Sequence, residues 1–294
     1  MNKRGNLLYR ENFVGYLFCN PMFLIILLLI LYPFLNAIYM SFFQKMVGYT
    51  PHFIGLKNYI DLFFSQRFHQ VFINSLIYTF FACLLKLILG IIMALVLNEI
   101  VKGRQFFRGF LLLSWITPDV VNAITWRWLF DLHRGLFNNF LLDAGIIEKP
   151  IHWLGNPKLA MACVITANVW RGFPFFGMAL LAAIQTVPKS LYEAAEVDGA
   201  SSFHKFFYIT IPQISNVIFI CLLLSIIWTL NDFNIVYLMT KGGPGSATHI
   251  FATYSYELGI ESMRWGIAIA VSFYSIPILI FLIILIHKYL HREV

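Results

Sequence analysis

Residues 193–212 read EAAEVDGASSFHKFFYITIP and form a patterned polar segment in a strongly apolar chain. Of the 294 residues, 60% are hydrophobic and 12% are charged, whereas soluble domains carry about 25% charged residues. Long apolar runs lie on both sides of the segment. Lipid can bury apolar helices, but it cannot satisfy the polar groups of such a loop. We therefore expect the segment to face water and to contact a partner there.

The apolar runs predict an all-α membrane protein with six transmembrane helices. A span needs about 20 apolar residues, and six stretches meet this length: 13–40, 69–100, 109–130, 159–187, 213–239 and 265–289. The first run is too long, and too poorly followed by small residues, for a removable signal peptide. Because six spans leave few residues for anything else, residues 1–294 are expected to form a single transmembrane domain.

The basic residues predict the orientation of these spans, since cytoplasmic loops are enriched in Lys and Arg. Eight basic residues are spread over the longer loops on one side. Ten lie on the other side, at the termini and in the short loops: Lys3, Arg4, Arg10, Lys102, Arg104, Arg108, Lys189, Lys205, Lys288 and Arg292. Both termini of this multi-pass chain are therefore expected in the cytoplasm. The net charge of +7 then reflects topology and attraction to anionic lipid.

Several function classes find no support in the sequence. Nucleic-acid binding is not expected, because no water-facing segment has a basic stripe with interleaved aromatics. The four cysteines lie inside spans without metal-ligand spacing, so no metal site is predicted. Asp119, Asp131 and His133 lack paired spacing and a nucleophile. No catalytic residue is predicted, and an intramembrane enzyme is a remote alternative.

The polar segment, taken with its flanks as residues 188–212, has the residue order of two short helices. Ser190 is placed to cap the first helix, and glutamates at its start would complement the helix dipole. Gly199 can supply the left-handed residue that ends this helix. One of the two serines that follow can cap a second helix, Phe203–Tyr208. An ordinary connection between two spans would have the same pattern, so the residue order alone does not establish docking.

Polar and aromatic residues inside three spans predict a transport pathway, because polar groups at membrane depth cost free energy. They recur at spacing i, i+3, i+4, i+7, which places each set on one helical face. The sets are Trp115, Pro118, Asp119 and Asn122; Asn168, Arg171, Gly172 and Phe175; and Ser225, Trp228, Thr229 and Asp232. Rings can cover the apolar face of a sugar while Arg and Asp bond its hydroxyls. Alternatively, the rings face lipid or serve as packing residues, and Arg171 only pairs with Asp232.

Lys86 is a separate feature in the middle of the second span. A charged side chain at this depth needs a partner or access to water. Two interpretations stay open: Lys86 pairs with an intramembrane carboxylate, or it faces water in a cavity.

Residue identities in the polar segment indicate a family. Glu193-Ala194-Ala195 followed by Asp198-Gly199-Ala200 closely resembles the EAA loop of binding-protein-dependent ABC importer permeases. WRGFPF at 170–175 precedes the loop, and NDF at 231–233 and TKGGP at 240–244 follow it, as in the carbohydrate branch with its maltose-type and glycerol-phosphate-type members. The resemblance covers the whole chain and implies the type I importer permease fold. Relative to the maltose permease, we expect a six-span minimal version without the extra amino-terminal spans and the large periplasmic domain.

The resemblance implies a permease subunit that carries a carbohydrate, such as an oligosaccharide, across the cytoplasmic (inner) membrane of a prokaryote. In that family the EAA loop forms a coupling helix that docks on an ATPase subunit. The expected ATPase-coupling residues are Glu193, Ala194, Ala195, Asp198, Gly199 and Ala200. The resemblance and the helical faces together give the expected substrate-pathway residues: Trp115, Asp119, Asn122, Arg171, Gly172, Phe175, Ser225, Trp228, Thr229 and Asp232.

The chain has no G-x-x-x-x-G-K-[ST] phosphate loop, so ATP hydrolysis is expected on other subunits. No cofactor is expected on this chain, and ATP and Mg²⁺ would bind to the partners. The expected partners are a second homologous permease, two ATPase subunits, an extracytoplasmic solute-binding protein and the lipid bilayer. Arg171 leaves open an acidic oligosaccharide or a sugar phosphate such as glycerol phosphate as cargo. A secondary transporter is a remote alternative, because no inverted repeat is evident.

Overall fold

The computed structural model describes residues 4–46, 48–99 and 103–290. Lys3, Lys102 and Arg292, which entered the charge count, and Ile100, the last residue of the predicted second span, lie outside the described residues. The described residues form helices, one short hairpin and the loops that connect these elements.

The helices follow one another with short connections. In chain order they are α1 (Arg4–Ile26), α2 (Tyr32–Ser41), α3 (Lys57–Phe63), α4 (Gln66–Asn98), α5 (Arg104–Ile116), α6 (Asp119–Leu129), α7 (Leu136–Asp143), α8 (Pro157–Ile184), α9 (Lys189–Val197), α10 (Ser202–Lys205), α11 (Ile211–Leu230), α12 (Asn234–Thr240), α13 (Phe251–Tyr256), α14 (Trp265–Phe273) and α15 (Ser275–Leu290). Wider π-helical turns lie at Leu27–Leu31, Phe206–Thr210 and Glu257–Glu261. The strands β1 (Phe43–Gln44) and β2 (His52–Phe53) pair antiparallel, with Phe43 opposite Phe53.

The chain divides into two compact units, residues 1–62 with 257–270 and residues 63–256 with 271–294. In the first unit, the Asn58 side-chain amide donates to the carbonyl oxygens of Ser41 at 2.7 Å and Phe43 at 3.0 Å. Asn58 is buried, and these bonds hold the start of α3 against the hairpin. The second unit contains all the predicted site residues.

The second unit is built around α4 and α8, the two longest helices. Packing between membrane helices depends on close approach rather than on expulsion of water, so small residues are favoured at the contact. Four fully buried alanines meet this need: Ala82 and Ala94 on α4, and Ala160 and Ala167 on α8. Larger side chains, including Tyr78 on α4 and Phe176 on α8, fill the remaining interior.

Five helical stretches within the described residues are long and apolar enough to cross a membrane: Phe18–Ser41, Gln66–Asn98, Pro157–Ile184, Ser202–Leu230 and Trp265–Leu285. They correspond to the first, second, fourth, fifth and sixth predicted spans. The observed stretch Ser202–Leu230 begins and ends closer to the amino terminus than the predicted fifth span, 213–239. The predicted span 213–239 is divided, since α11 ends at Leu230 and a separate helix, α12, follows after three residues.

The third predicted span, 109–130, is also two helices rather than one continuous span. The break comes at Thr117 and Pro118, whose ψ angles of 126° and 143° are extended. A proline ring forces the preceding residue out of the helical region, and proline itself is suited to a helix start. Trp115 therefore ends up on α5 while Asp119 and Asn122 lie on α6. The prediction that they share one helical face with Pro118 is wrong.

Candidate functional site

The predicted pathway residues converge on a cavity of about 800 Å³ in the second unit. Its walls come from α4, α5, α6, α8, α11, the connection before α12 and the first residue of α12. Nine of the ten predicted residues line it: Trp115, Asp119, Arg171, Gly172, Phe175, Ser225, Trp228, Thr229 and Asp232. Asn122 is the exception. It is buried, and its side-chain nitrogen donates to the Ala167 carbonyl oxygen at 3.3 Å.

Three aromatic rings form one wall of this cavity. Trp115 on α5 stacks against Phe175 on α8, with ring centroids 6.1 Å apart and 23° between planes. Trp228 on α11 meets the same Phe175 edge-on at 5.3 Å. Trp115 and Trp228 are 42% and 52% exposed. The three residue sets predicted from the spans thus supply one continuous aromatic surface that is accessible from the cavity.

Arg171 forms an ion pair with Asp119, with 2.7 Å between Nε and Oδ1. Both side chains are about one-third exposed, at 34% and 32%. The pair links α8 to the first residue of α6, a position that exists because the helix breaks at Pro118. The alternative in which Arg171 pairs with Asp232 is therefore wrong.

Asp232 is instead bonded to three other donors. Its Oδ2 accepts from the Tyr78 hydroxyl at 2.5 Å and from the side-chain nitrogen of Asn168 at 2.7 Å. Its Oδ1 accepts from the Ile235 backbone nitrogen at 3.2 Å, in the first turn of α12. One carboxylate thereby joins α4, α8 and α12. These bonds occupy both oxygens, so Asp232 shapes the cavity more than it offers a free acceptor.

Lys86 on α4 is buried, with 6% of its surface exposed, and it lines the same cavity. Its Nζ donates to the Thr229 hydroxyl at 3.1 Å and the Ser225 hydroxyl at 3.3 Å. Among the described residues no carboxylate lies within ion-pair distance of this amine. Of the two interpretations left open by the sequence, the structure supports the cavity over the ion pair.

Gly172 is needed beside Lys86 for steric reasons. A Cβ atom at position 172 would lie 2.6 Å from Cε and 2.9 Å from Cδ of Lys86. The glycine therefore provides the space in which the lysine chain lies across α8.

The coupling segment, residues 188–212, contains two helices as predicted, but the first helix starts at a different residue from the predicted one. Pro188 directly precedes α9, and Ser190 lies inside the helix without capping it. Glu193 lies in mid-helix and Glu196 in the last turn, so the prediction of acidic residues at the start is wrong. Proline already fixes the extended residue that begins the helix, which leaves the serine no capping position.

The end of α9 agrees with the sequence prediction. Gly199 has φ +76°, the left-handed conformation that stops the helix. The Ser201 hydroxyl then accepts from the His204 backbone nitrogen at 3.3 Å and caps α10. All six predicted coupling residues lie at the surface of the chain, either exposed or half-buried. The apolar Val197 at the end of α9 is 87% exposed.

Two side-chain contacts fix α9 to the start of the next span. The Glu196 carboxylate and Lys205 amine are 2.6 Å apart, and the hydroxyls of Tyr192 and Thr210 are 2.9 Å apart. Because α9 is held in place while its outer face stays exposed, it presents a defined surface to water.

Three residues that make polar contacts in or beside the cavity were absent from the predicted set. Lys86 was recognisable as a charge in mid-span, and Asn168 belonged to the polar face of the fourth span. Tyr78 gave no signal, because one tyrosine among many aromatics in an apolar run cannot be singled out. Its hydroxyl becomes informative only when Asp232 is found next to it.

A cavity lined by charged, hydroxyl and aromatic groups between membrane helices, with an exposed helix–turn–helix after the fourth span, is the arrangement expected of a transport permease. The family model for the binding-protein-dependent transport system inner membrane component matches residues 86–294, and this chain belongs to that family. The predictions that this chain is an ABC importer permease and that it is an inner membrane component are confirmed.

Individual relatives support the same assignment. The trehalose/maltose transport system permease protein MalF of Thermococcus litoralis is 36% identical over 276 residues, covering 92% of this chain and 91% of the relative. The sn-glycerol-3-phosphate transport system permease protein UgpA of Escherichia coli is 29% identical and covers 95% of this chain and 92% of its own length. Their names match the carbohydrate branch that the sequence indicated.

The fold also matches a solved structure. A chain of a bacterial ABC transporter involved in the import of the acidic polysaccharide alginate superposes with a TM-score of 0.83 at 23% identity, covering 99% of both chains. The predicted type I importer permease fold is thereby confirmed.

Proposed function

We propose that this chain is the transmembrane permease subunit of an ATP-driven importer that carries a carbohydrate, such as an oligosaccharide, across the cytoplasmic membrane of a prokaryote. A solute-binding protein would deliver the carbohydrate to the outer side. The cavity of about 800 Å³ carries this proposal. It combines an aromatic wall with hydroxyl, amide and charged groups, as sugar binding requires. Its size falls within the range of about 300–1,000 Å³ that small-molecule sites occupy.

The charges in the cavity favour a neutral cargo. The lining contains two basic side chains, Lys86 and Arg171, and two acidic ones, Asp119 and Asp232, so its formal charge sums to zero. Arg171, which raised the possibility of an acidic oligosaccharide or a sugar phosphate, already has Asp119 as its counter-ion at 2.7 Å. A neutral carbohydrate needs hydrogen-bond partners and stacking surfaces, and the cavity supplies both.

The coupling segment gives the proposed route for energy input. With both termini in the cytoplasm, α9 faces the cytoplasm and docks on an ATPase subunit through its exposed surface, which includes Glu193 and Val197. ATP and Mg²⁺ bind to two such ATPase subunits and not to this chain. A second homologous permease completes the pathway, and closure of the ATPases on ATP turns the cavity outward.

The environment of Asp131, one of the groups considered for acid–base chemistry, does not favour an enzyme. The Asp131 carboxylate accepts from the backbone nitrogens of Arg134 at 2.8 Å and His133 at 3.0 Å. These bonds hold the pKa of Asp131 below its ordinary value, because they stabilise the ionised form. Asp131 thus stabilises a turn as a carboxylate, and a proton donor near neutral pH is not available there.

Reconstituted transport tests the proposal. The complete assembly in proteoliposomes is supplied with trehalose, maltose, an arabino-oligosaccharide or glycerol 3-phosphate, each with its binding protein, with and without ATP. We expect uptake of at least one neutral sugar that depends on ATP, and co-purification of an ATPase subunit with this chain. Uptake that continues without ATP would show a secondary transporter or channel instead.

A further inference from the structure

The cavity contains one buried cation whose charge is not matched by a neighbouring carboxylate. Lys86 is 6% exposed, and within the described part of the chain its amine contacts only the hydroxyls of Ser225 and Thr229. Removing a charge from water is costly unless a counter-ion or several hydrogen bonds compensate. A lysine kept in this position at membrane depth therefore calls for a function.

The other charged groups of the cavity are already engaged. Arg171 is paired with Asp119, and Asp232 accepts from Tyr78, Asn168 and the backbone of Ile235. A lysine ammonium has three N–H donors, and two of them are used by hydroxyl groups. One strong donor thus remains at the cavity wall.

We infer that Lys86 is the substrate-binding cation of this cavity and donates a hydrogen bond to an oxygen atom of the carried carbohydrate. Ser225 and Thr229 hold the amine in position, and Gly172 provides the space for its chain. The inference rests on the proposed function, in which this cavity is the carbohydrate pathway. It transfers to Lys86 the role that sequence reasoning gave to Arg171.

The geometry specifies the ligand chemistry as an oxygen acceptor. A sugar hydroxyl or ring oxygen qualifies, and so does the carboxylate or phosphate of an acidic carbohydrate. A neutral acceptor loses one charge-assisted hydrogen bond without the ammonium, whereas an anionic acceptor also loses its counter-charge. Removing the ammonium should therefore reduce transport more for an anionic cargo than for a neutral one. This difference allows a measurement to distinguish the two kinds of acceptor.

The first experiment compares Lys86→Met with the wild type in the complete assembly in proteoliposomes. Methionine keeps an unbranched chain beside Gly172 and removes the ammonium. The probes are trehalose, maltose, an arabino-oligosaccharide and glycerol 3-phosphate with saturating binding protein. We expect the amount carried per ATP hydrolysed to fall roughly tenfold, since hydrogen bonds to charged groups contribute about that factor. Lys158→Met, at an exposed lysine outside the cavity, is the matched control and should leave this ratio unchanged.

A second set of variants separates substrate binding from structural support. Gly172→Ala should displace the lysine chain and lower the same ratio, because the new Cβ would meet Lys86 Cε. In a Lys86→Ala background the steric conflict is gone, so adding Gly172→Ala should cost little more. Thermal unfolding of each assembly is measured in parallel.

The outcomes decide between the alternatives. If Lys86→Met lowers thermal stability while the carbohydrate carried per ATP stays at the wild-type value, Lys86 only supports packing and the inference is overturned. A fall that is much larger for glycerol 3-phosphate than for the neutral sugars identifies an anionic acceptor, and an equal fall identifies a neutral one. If the wild-type assembly carries none of the four probes, the proposed carbohydrate function fails, and the inference fails with it.

Discussion

The cavity and the coupling segment satisfy their polar groups in opposite ways. In the cavity, partners come from distant parts of the chain: Tyr78 and Asn168 both bond to Asp232 from other helices. In the coupling segment, Glu196 bonds to Lys205 and Tyr192 to Thr210, all within residues 188–212. The outer face of α9 has few partners in the described chain and is exposed.

This difference separates two kinds of sensitivity. Where bonds join distant helices, removing one partner leaves others buried and unsatisfied, so the fold is affected. Where bonds are local and the surface is exposed, substitution changes what the surface can dock with. Variants that remove the Asp232 carboxylate should therefore lower stability, whereas variants at the exposed face and end of α9 should lower transport in an assembly that remains folded.

Asp232→Leu should have the largest effect. The change leaves three donors without an acceptor, and we expect the free energy of unfolding to fall by about 3–5 kcal/mol. Denaturant titration of the purified permease in detergent measures this loss. Asp232→Asn is the control, since its amide oxygen can still accept and the loss should be smaller. A loss below about 1 kcal/mol for Asp232→Leu would contradict the proposed role as a link between helices.

Gly199→Asp should abolish coupling while leaving membrane insertion intact. A side chain at φ +76° costs about 1–2 kcal/mol in the left-handed region, and the added charge lies at the proposed docking surface. We expect ATP hydrolysis without matching uptake in proteoliposomes. Gly145→Asp introduces the same residue at φ +67° in a loop outside the coupling segment, and serves as the matched control. Equal loss of uptake in both variants would indicate general backbone strain.

The Arg171–Asp119 pair should contribute a smaller coupling energy. Because both side chains are about one-third exposed, water screens the pair, and we expect about 0.5–1 kcal/mol. A double-mutant cycle with Arg171→Ala and Asp119→Ala, read out as stability, measures this energy. Arg171→Ala should also lower uptake of neutral and uronate-containing oligosaccharides equally. A selective loss of the uronate sugar would restore Arg171 as a charge-selecting residue.

Lys205→Met should have the smallest effect on stability. Its partner Glu196 is 62% exposed at the side chain, so the ion pair is worth at most about 0.5 kcal/mol. Thermal unfolding at low salt should detect this difference, and it should vanish at about 1 M salt because screening removes the pair. A larger, salt-independent loss would mean that the Lys205 chain packs on the segment through its methylene groups.

The coupling segment could be predicted well from sequence because its structure is local. Gly199 ends α9 through its own backbone conformation. Ser201 caps the next helix by accepting from the backbone nitrogen of His204, three residues further on. The error at Ser190 is also local, since two residues suited to a helix start lie close together and Pro188 is the one that is used.

Most of the predicted residues do line the cavity, but the hydrogen bonds and ion pairs among them could not be predicted from sequence. The family resemblance and the helical faces together assigned Arg171, Asp119 and Asp232 to one pathway, yet they could not say which carboxylate Arg171 would meet. That choice depends on the break at Pro118 and on the rotation of α6 against α8. Tyr78 lies 154 positions from Asp232 in sequence, and no spacing rule relates residues so far apart.

The π-helical turn at Phe206–Thr210 lies between the coupling segment and the cavity. It leads without interruption into α11, whose residues Ser225 and Thr229 hold Lys86. A π turn holds one residue more than a regular turn, and each residue of an α-helix advances the face by about 100°. Because the wider turn takes up its extra residue within one revolution, deleting one residue here should give a regular turn and change the direction of α9 about the helix axis only slightly. Deleting a residue from the regular part of α11 would instead rotate α9 by about 100° relative to the cavity face. The π turn is therefore the place in this helix where a change of length should disturb the proposed docking surface least.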